Sequence, residues 1–537
     1  MSLIQSPILS PCVEQLVSST VQIAYDQSRL LSAVAVSVLF HLILRYRQSP
    51  WRHLPPGPTG YPILGSALKL FDKHWLFYES KQKYGDIVYL NVIGQPTIIL
   101  NSQRVAADLL DRRASTFSGR PRLIIGYELL TQQLLFALGG HNDRWRRMRR
   151  AVNEAFNVGF TGRYHGMEAE EAIRLALALT AEPSEFIRLY DRYAASLVMM
   201  ITYDRPLHGS EKDDAIHERL HASNRRSVDA ITPGAHLVEF FPWMLRLPTW
   251  LAKWKRDALN GYQETTELYE ELVDDVVERR AKGSARDCLT TVLTEEQERF
   301  GLSRPEVLWS AGTMYAAATE TMATMLGWWT LAMVAFPDAQ RTAQDELDTV
   351  LGQARPPRVG DRPQLPYTSA LVRETLRWRS GLPLGLPHVN EQDDWYEGMF
   401  IPKGTVIFAN VIGCNHDPEI YGEDARTFNP SRHLNTDGQL KPAAPDTKDE
   451  GHVSFGFGRR ICVGRHVADD ALFAAIAILL WSFKFEKSEE VSVGIDHDTR
   501  EDDADSGCFR APQSFRCKIT PRLPETLDIL TREMEAR

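Results

Sequence analysis

The sequence predicts a mainly α-helical protein of the α+β class, with a small β-sheet region and an N-terminal helix that anchors it in a membrane. Three observations support this prediction. Hydrophobic side chains recur with the period of an α-helix along most of the chain after residue 100. Residues 85–102 form one β-branched segment around Gly94, which is typical of a hairpin. Residues 30–44 form an uncharged apolar run.

The apolar run, LLSAVAVSVLFHLIL, is followed by Arg45, Arg47 and Arg52. Its helix would rise about 23 Å, less than the roughly 30 Å hydrocarbon core, so Tyr46 and a snorkelling Arg45 would have to make up part of the difference. The run ends in arginine rather than in small residues, which argues against a cleaved signal peptide. Arginines on its C-terminal side place the rest of the chain in the cytosol. A buried core helix is the alternative.

The chain therefore divides into four segments. They are a lumenal tail at 1–29, a transmembrane anchor at 30–44, a basic and proline-rich hinge at 45–58, and a single domain at 59–537. The prolines of the hinge make it stiff and extended, as suits a spacer between a membrane and a globular body. Neither a linker nor a repeat of about 20–50 residues divides the long remainder.

Composition excludes several classes of protein. The net charge of −9 is mild and argues against a partner that is a nucleic acid. The six cysteines are scattered without a C-x-x-C pair, so neither a disulfide framework nor a zinc site is expected. This cysteine usage fits a reducing compartment.

The secondary structure of the single domain is predicted mainly from helical periodicity. Helices are expected at 104–111, 144–156, 190–200, 262–279, 305–334, 337–351 and 367–378. Proline and aspartate dominate from 381 to 452, where one strand-like run, TVIFANVI, occupies 405–412.

One cysteine lies in an unusual loop, FGFGRRICVG at 455–464. A buried structural cysteine has apolar neighbours, whereas Cys462 follows two arginines and lies between glycines. Glycines allow tight backbone close to a ligand, and cations favour the thiolate, which is the form that binds metal. A guanidinium also neutralises carboxylates through charge-assisted hydrogen bonds. Cys462 is therefore predicted to be a metal-binding thiolate beside an anionic group.

The loop fits F-x-x-G-x-R-x-C-x-G through Phe455, Gly458, Arg460, Cys462 and Gly464. It resembles the haem-binding signature of the cytochrome P-450 family, and a chance match is on the order of 10⁻⁴. The resemblance implies the cytochrome P-450 fold and makes 59–537 a haem-binding catalytic domain. It also implies haem b as the cofactor, with Cys462 as the axial ligand of its iron and Arg460, Phe455 and Gly464 as cofactor-binding residues.

Two further motifs resemble the structural network of the same family. ETLR places Glu374 and Arg377 one helical turn apart, so their side chains can pair. FNPSR supplies Arg432, which resembles the arginine that completes this network. The three residues are predicted to hold the cysteine loop in place rather than to react.

AATETM, at 317–322, resembles the oxygen-binding helix of the family and makes Glu320 and Thr321 the candidate catalytic residues. The hydroxyl of Thr321 would hold a water near bound dioxygen, and the carboxylate of Glu320 would relay protons. The alternative is a threonine that only bonds the carbonyl four residues before it, with the glutamate on a wet face. Ala318 and Met322 depart from the glycine and the hydroxyl residue usual in this motif, which puts the efficiency of oxygen activation in doubt.

Three other residues are candidate contacts of the haem propionates. WRRMR places Trp145 and Arg149 on one face of a helix. His388 matches a basic residue that often contacts a propionate in relatives. An ordinary arginine-rich helix and a satisfied histidine are the alternatives.

The resemblance implies a monooxygenase that uses O2 to hydroxylate or epoxidise a hydrophobic small molecule, namely a terpenoid, a polyketide or an aromatic compound. Only 75 residues follow Cys462, too few for a flavin domain, so electrons would come from NADPH-cytochrome P-450 reductase. The motifs most resemble those of fungal, membrane-bound members of the family that act in secondary-metabolite biosynthesis. The expected location is the endoplasmic reticulum membrane, in contact with lipid, as a single-pass protein whose catalytic domain faces the cytosol.

Three other functions stay open at this point. A haem-thiolate isomerase or dehydratase would need no external electrons, but such relatives often lose the acid–threonine pair that is kept here. A monooxygenase that detoxifies xenobiotics has the same motifs. A non-catalytic haem sensor or carrier would make no use of the candidate proton-relay residues, Glu320 and Thr321.

Overall fold

The structure is a computed structural model that describes residues 11–207, 209–232, 234–488, 503–505 and 509–537. The first ten residues of the predicted tail lie outside the described residues. The chain divides into two compact units. One contains the residues up to Pro55 together with Asp393–Pro402, and the other contains Pro56–Gln392 and Lys403–Arg537.

Helices dominate the described chain. The α-helices are α1 (Pro11–Gln48), α2 (Ser80–Tyr84), α3 (Gln103–Ala106), α4 (Ala114–Phe117), α5 (Asp143–Phe156), α6 (His165–Ala181), α7 (Phe186–Tyr203), α8 (Glu211–Ile231), α9 (Leu237–Phe240), α10 (Lys253–Ala281), α11 (Leu289–Glu295), α12 (Gln297–Phe300), α13 (Arg304–Ala335), α14 (Pro337–Leu351), α15 (Pro366–Trp378), α16 (Val411–Asn415), α17 (Pro418–Tyr421), α18 (Arg465–Ser482) and α19 (Thr526–Glu535). Shorter 3₁₀ and π turns connect them, among them Ala107–Arg112, Val359–Gln364 and Gly458–Arg460.

The strands form small sheets, as the sequence predicts. They are β1 (Ile87–Val92), β2 (Gln95–Leu100), β3 (His388–Val389), β4 (Asp394–Tyr396), β5 (Met399–Ile401), β6 (Val406–Ala409), β7 (Phe483–Lys487), β8 (Asp503–Asp505), β9 (Arg510–Pro512) and β10 (Cys517–Pro521). One sheet has the order β1-β2-β6-β3, and its β1–β2 pair is the hairpin predicted around Gly94. The pairs β10–β7, β4–β5 and β8–β9 are antiparallel.

The smaller unit contains α1 and the β4–β5 hairpin. Helix α1 runs without a break through the predicted anchor at 30–44 and starts well before it. Within the described residues, the helices lack a stretch that combines the length and the apolar character needed to span a bilayer. After the helix, the rings of Trp51 and Phe400 meet edge to face with centroids 6.2 Å apart.

The predicted helices of the larger unit are present, with α14 ending where the sequence places its last residue. Helices α6, α8 and α18 were not singled out from the sequence. Helix α18 is buried on nearly all sides, so it lacks the polar face that gives helical periodicity its contrast. Helix α8 begins with a capping box formed by Ser210 and Asp213, a start signal that was visible in the sequence.

The core of the larger unit surrounds α13, which packs against α7, α10, α15 and α18. Trp328 and Trp329 of this helix are fully buried, as are Trp378 of α15 and Trp481 of α18. Helix α10 approaches closely at Gly312, where a Cβ atom would lie 2.2 Å from the ring of Tyr269. This packing fixes α13 beside the loop that carries Cys462.

Candidate active site

A large cavity lies between α13 and the loop that precedes α18. The space inside it, counted together with the part that is open to solvent, is about 1780 Å³. Cys462 lines one wall, and Ala317, Ala318 and Thr321 of α13 line another. The structure therefore brings the predicted thiolate ligand and one candidate catalytic residue, Thr321, to the same space.

The cysteine loop owes its shape to its glycines and to backbone hydrogen bonds. Gly458 has a φ of +60°, and a Cβ atom there would lie 2.0 Å from the carbonyl oxygen of Leu110. The N–H of Cys462 donates to the carbonyl of Phe455 at 2.8 Å, which closes the loop across the intervening residues. Only glycine fits at position 458, so the loop can lie directly on the π turn Ala107–Arg112.

Opposing effects act on the ionisation of Cys462. Cationic neighbours were predicted to favour the thiolate, and Arg149 and Arg465 do act in that direction, together with the N–H of Gly464. Burial has the larger effect, however, and raises the pKa of the Cys462 thiol above its usual value. The protein alone therefore favours the thiol, and a coordinated metal ion would supply the charge that stabilises the thiolate.

Three arginines gather at one end of the cavity, where Arg460 is buried and Arg120 and Arg149 are partly buried. Arg120, Arg149 and Arg460 all line it, and no carboxylate pairs with any of them among the described contacts. Burial, with help from Arg460 and Arg149, lowers the pKa of Arg120 well below its usual value. Burial and the charge of Arg149 lower the pKa of Arg460 to about 10. Mutually repelling cations in a buried site indicate an anionic ligand.

The hydrogen bonds of these arginines leave donors free. Arg120 donates to the carbonyls of Leu386 and Pro387 at 2.8 and 2.6 Å, and Arg460 donates to those of Ser118 and Gly139 at 3.0 and 2.6 Å. The Nη1 atom of Arg460 is buried without a partner in the described chain. A buried guanidinium nitrogen of this kind is costly unless an acceptor meets it.

Trp145 and His388 complete this end of the cavity. The guanidinium of Arg460 lies 4.3 Å from the ring of Trp145, a cation–π contact. The Nδ1–H of His388 donates to the carbonyl of Phe117 at 2.8 Å. Burial, together with Arg120 and Arg460, lowers the pKa of His388 to about 3. His388 is therefore neutral in the protein alone, and it lines the cavity, as a contact of a haem propionate would.

The predicted structural network is present in full. Glu374 accepts two hydrogen bonds from Arg377, both at 2.7 Å, and one from Arg432 at 3.0 Å. His433 adds a contact at 2.9 Å. Despite complete burial, the charges of Arg377 and His433 hold the pKa of Glu374 far below its usual value. The carboxylate is thus ionised and fully paired.

This network reaches the cysteine loop through one asparagine. Arg377 donates to the carbonyl of Asn415 at 2.6 Å. The side chain of Asn415 accepts from the N–H of Val453 and donates to the hydroxyl of Ser454, both at 2.9 Å. The hydroxyl of Ser454 in turn donates to the carbonyl of Leu376 at 2.6 Å. The network therefore holds the start of the loop against α15.

Comparisons with known proteins decide the family. The sequence model described as Cytochrome P450 matches residues 55–500. The chain belongs to the cytochrome P450 family. It is 46% identical to a cytochrome P450 monooxygenase of Armillaria gallica, over 93% of this chain and 96% of the relative. It is 42% identical to cytochrome P450 monooxygenase 58 of Postia placenta, over 94% and 95%.

A solved structure shares the fold. A zebra fish cytochrome P450, in a structure with abiraterone, matches with a TM-score of 0.67 at 23% identity. The match covers 84% of this chain and 100% of the other. The described chain therefore has the cytochrome P450 fold, helix-rich with small sheets.

Membership of this family establishes the activity and the cofactor. The chain is a cytochrome P450 monooxygenase, an oxidoreductase that depends on a redox partner and acts on a small molecule with O2. Its cofactor is haem with a thiolate ligand, and the site fits that group. Cys462 is the thiol that lines the cavity, and Arg120, Arg149 and Arg460 would meet the two propionates of haem, with the free Nη1 of Arg460 as one donor.

Of the two candidate catalytic residues of α13, only Thr321 lines the P450 cavity. The hydroxyl of Thr321 lines the cavity and donates to the carbonyls of Ala317 and Ala318 at 2.9 and 3.2 Å. Glu320 is half-buried and lies outside the cavity lining. Burial, and to a lesser degree the charge of Asp191, raises the pKa of Glu320. The structural alternative predicted that the hydroxyl of Thr321 bonds the carbonyl four residues before it, and this bond to Ala317 is present. Thr321 also lies on the cavity wall, so the bond does not remove it from the site.

Sequence reasoning missed one residue of the P450 site. Arg120 lies in SGRP, at 118–121, and no motif of the sequence analysis includes it. It is charged, follows the short helix α4 and precedes a proline, which together suggest a fixed loop cation. Its neighbours Arg149 and Arg460 come from distant parts of the chain, so only the fold brings the three together.

Proposed function

We propose that this monooxygenase hydroxylates or epoxidises a hydrophobic terpenoid, polyketide or aromatic compound in the secondary metabolism of a fungus. The cavity wall beyond Thr321 supports a hydrophobic substrate. Its side chains are mostly apolar: Phe136, Val198, Ile201, Met314, Met322, Met325, Leu382, Leu384, Leu386, Ala409 and Val411. The hydroxyls of Thr313 and Ser380, also on the wall, each bond a backbone carbonyl, so neither demands a polar substrate group.

In this proposal the residues of the site bind the cofactor, orient it and deliver protons. When bound, haem with a thiolate ligand supplies the activation of O2 and the cleavage of its O–O bond. The three arginines would hold the cofactor's carboxylates, and the glycine-bounded loop places Cys462 on the cavity wall. The hydroxyl of Thr321 holds a water on the cavity side of α13 and passes a proton from it.

Glu320 supplies that proton in this proposal. Its raised pKa keeps part of the population protonated closer to neutral pH than an exposed carboxyl would be. Glu320 belongs to α13, and its half-buried side chain keeps part of its surface open to solvent. The carboxyl therefore relays protons from outside to the hydroxyl of Thr321 without touching the substrate.

The proposed activity is tested by turnover of candidate substrates with a reductase and NADPH. A monooxygenase consumes O2 and NADPH and adds one oxygen atom to the product. An isomerase or dehydratase would convert a peroxide without NADPH, and that outcome would overturn the proposal. Titration of the haem absorption spectrum with candidate compounds distinguishes a biosynthetic from a detoxifying role. A biosynthetic enzyme binds one compound class tightly, whereas a detoxifying enzyme binds many classes weakly.

The redox partner in this proposal is NADPH-cytochrome P-450 reductase, which docks on an arginine-rich face. Arg146 and Arg150 of α5 have exposed side chains, and the same helix reaches the cysteine loop through Arg149, which donates to the carbonyl of Ile461. Such a positive cluster on a net-negative protein favours an acidic partner. Arg144 and Arg147 are less suited to docking, since they lie 3.5 and 2.7 Å from the buried carboxylate of Glu306.

Charge reversal tests the docking face. Arg146→Glu with Arg150→Glu is expected to slow turnover supported by reductase and to spare turnover supported by peroxide, because peroxide bypasses electron transfer. Lys253→Glu, at an exposed lysine of α10, is the control and leaves both unchanged. Equal losses in the two assays would contradict the docking face.

Membrane attachment is the last part of the proposal. The uncharged run at 30–44 and the arginines after it favour a single-pass anchor in the endoplasmic reticulum, with the catalytic domain in the cytosol. Cell fractionation and protease protection test this with the full chain and with a variant that lacks residues 1–44. The full chain is expected in the microsomal pellet with its domain open to protease. A full chain in the soluble fraction would contradict the anchor.

A further inference from the structure

Arg465 joins the cysteine loop to an acidic side chain that no motif includes. It is the first residue of α18, and its Nη1 donates to the carbonyl of Cys462 at 3.3 Å. Its Nε lies 3.3 Å from Oε1 of Glu450, with 24% and 17% of the two side chains exposed. The guanidinium therefore lies between the carbonyl of the predicted ligand and a mostly buried carboxylate.

The two charges of this pair act on Cys462 in opposite directions. The guanidinium of Arg465 favours the thiolate and the carboxylate of Glu450 disfavours it. Charges that are mostly removed from solvent interact more strongly than surface charges, since the effective dielectric constant is lower. The electrostatic potential at the sulfur thus depends on how far Glu450 compensates Arg465.

We propose that Arg465 and Glu450 form a compensated charge pair that sets the electrostatic potential at Cys462 and, through this ligand, the reduction potential of the haem iron. A positive charge near the iron stabilises the state that carries the added electron. Arg465 therefore raises the reduction potential, and Glu450 lowers it. The inference rests on Cys462 being the haem ligand.

The surroundings of Glu450 make its charge adjustable. Asp469 and Arg465 of α18, Arg373 of α15 and Arg362 of the 3₁₀ turn Val359–Gln364 act on its carboxyl. Burial, followed by the charge of Asp469, raises the pKa of Glu450 to about 7. Ionisation of Glu450 near neutral pH adds a negative charge beside Arg465, so the reduction potential falls as pH rises through that range.

Redox titration of the purified holoenzyme tests the pair with three variants. Glu450→Gln is expected to raise the reduction potential and Arg465→Gln to lower it, each changing the equilibrium constant for reduction several-fold, where tenfold corresponds to about 59 mV for one electron. The double variant should return close to the wild type. Glu533→Gln is the control, because Glu533 also pairs with an arginine at 3.3 Å, Arg358, but belongs to α19.

Further readouts separate a charge effect from a structural one. Arg465→Lys keeps the charge and should keep the reduction potential near that of the wild type, and it replaces Arg465→Gln if that variant loses haem. Glu450→Gln should also remove the dependence on pH near 7. Single variants that shift the potential in the same direction, or that leave it unchanged with haem bound, would overturn the inference. The absorption band of the reduced CO complex checks thiolate ligation independently in each variant.

Discussion

The carboxylate of Glu374 pairs with the guanidinium of Arg377 through two hydrogen bonds of 2.7 Å, where neither side chain has any exposed surface. Arg432, His433 and the backbone N–H of Asn429 also contact this carboxylate. A buried ion pair is stable only with such complete pairing, because each charge alone pays a large desolvation cost. The fold therefore depends on all members of this network at once.

Glu374→Gln is expected to destabilise the protein by about 3–5 kcal/mol, because it leaves the fully buried guanidinium of Arg377 without its counter-ion, while Arg432 keeps only Asp424. The loss of stability should appear in urea unfolding and should reduce haem content, since the network holds the cysteine loop through Asn415. Asp257→Asn on α10, which breaks the exposed pair with Lys253, should cost about 1 kcal/mol or less. A Glu374→Gln protein as stable as that control would contradict the role of the network.

Gly458→Ala is expected to prevent stable haem binding. The added Cβ would lie 2.0 Å from the carbonyl of Leu110, at a φ of +60° that alanine adopts only with strain. Gly438→Ala is the matched control, because its φ is +74° and nothing lies within 4 Å. The control should lose about 1–2 kcal/mol of stability and retain haem. Full haem content in Gly458→Ala would show that the loop tolerates a shift.

Stability is expected to fall on mild acidification because histidines are buried in neutral form. Burial lowers the pKa of His452 to about 3 and that of His416 well below its usual value. As the pH falls below 6.5, the unfolded histidines take up protons and the folded ones do not, so protons favour unfolding over this range.

Each such histidine contributes about 1.4 kcal/mol per pH unit to the slope of stability against pH. The variants His452→Gln and His416→Asn should each make this slope shallower by that amount between about pH 6.5 and about pH 4. Urea unfolding across this range measures the slope. Slopes equal to that of the wild type in both variants would contradict burial of the neutral forms.

Thr321→Ala is expected to lower product formation by about 10²-fold, the lower end of what a positioned proton donor contributes. NADPH consumption should fall less, because electron delivery does not need the hydroxyl. Thr321→Ser keeps the hydroxyl and should restore most of the product. Thr319→Ala, whose hydroxyl bonds the carbonyl of Tyr315 at 2.9 Å outside the cavity, is the control. Unchanged coupling in Thr321→Ala would favour a purely structural hydroxyl.

The sequence predicted those parts of the site that local motifs specify. Glu374 and Arg377 lie one turn apart on a helix, so their pairing follows from spacing alone. The shape of the cysteine loop follows from its glycines. The hairpin at 85–102 and most helices follow from the period of their apolar residues.

The rest depends on tertiary packing that spacing does not encode. Arg120 joins the arginine cluster only because its loop folds back beside Arg460, far along the chain. Burial outweighs the effect of the cations on the pKa of Cys462 and keeps His388 neutral in the protein alone. The burial of a residue depends on all the elements that pack around it. It could therefore not be predicted from the residues next to Cys462 or His388 in the sequence.

The central claim is that Cys462 ligates haem through its thiolate. The most direct test is the absorption spectrum of the dithionite-reduced, CO-bound protein, compared with Cys462→Ala and with Cys517→Ala as the control. The wild type and the control should show the strongly red-shifted Soret band of thiolate ligation, and Cys462→Ala should lose it. A band typical of histidine ligation in folded wild-type protein, or a red-shifted band that survives in Cys462→Ala, would contradict the account.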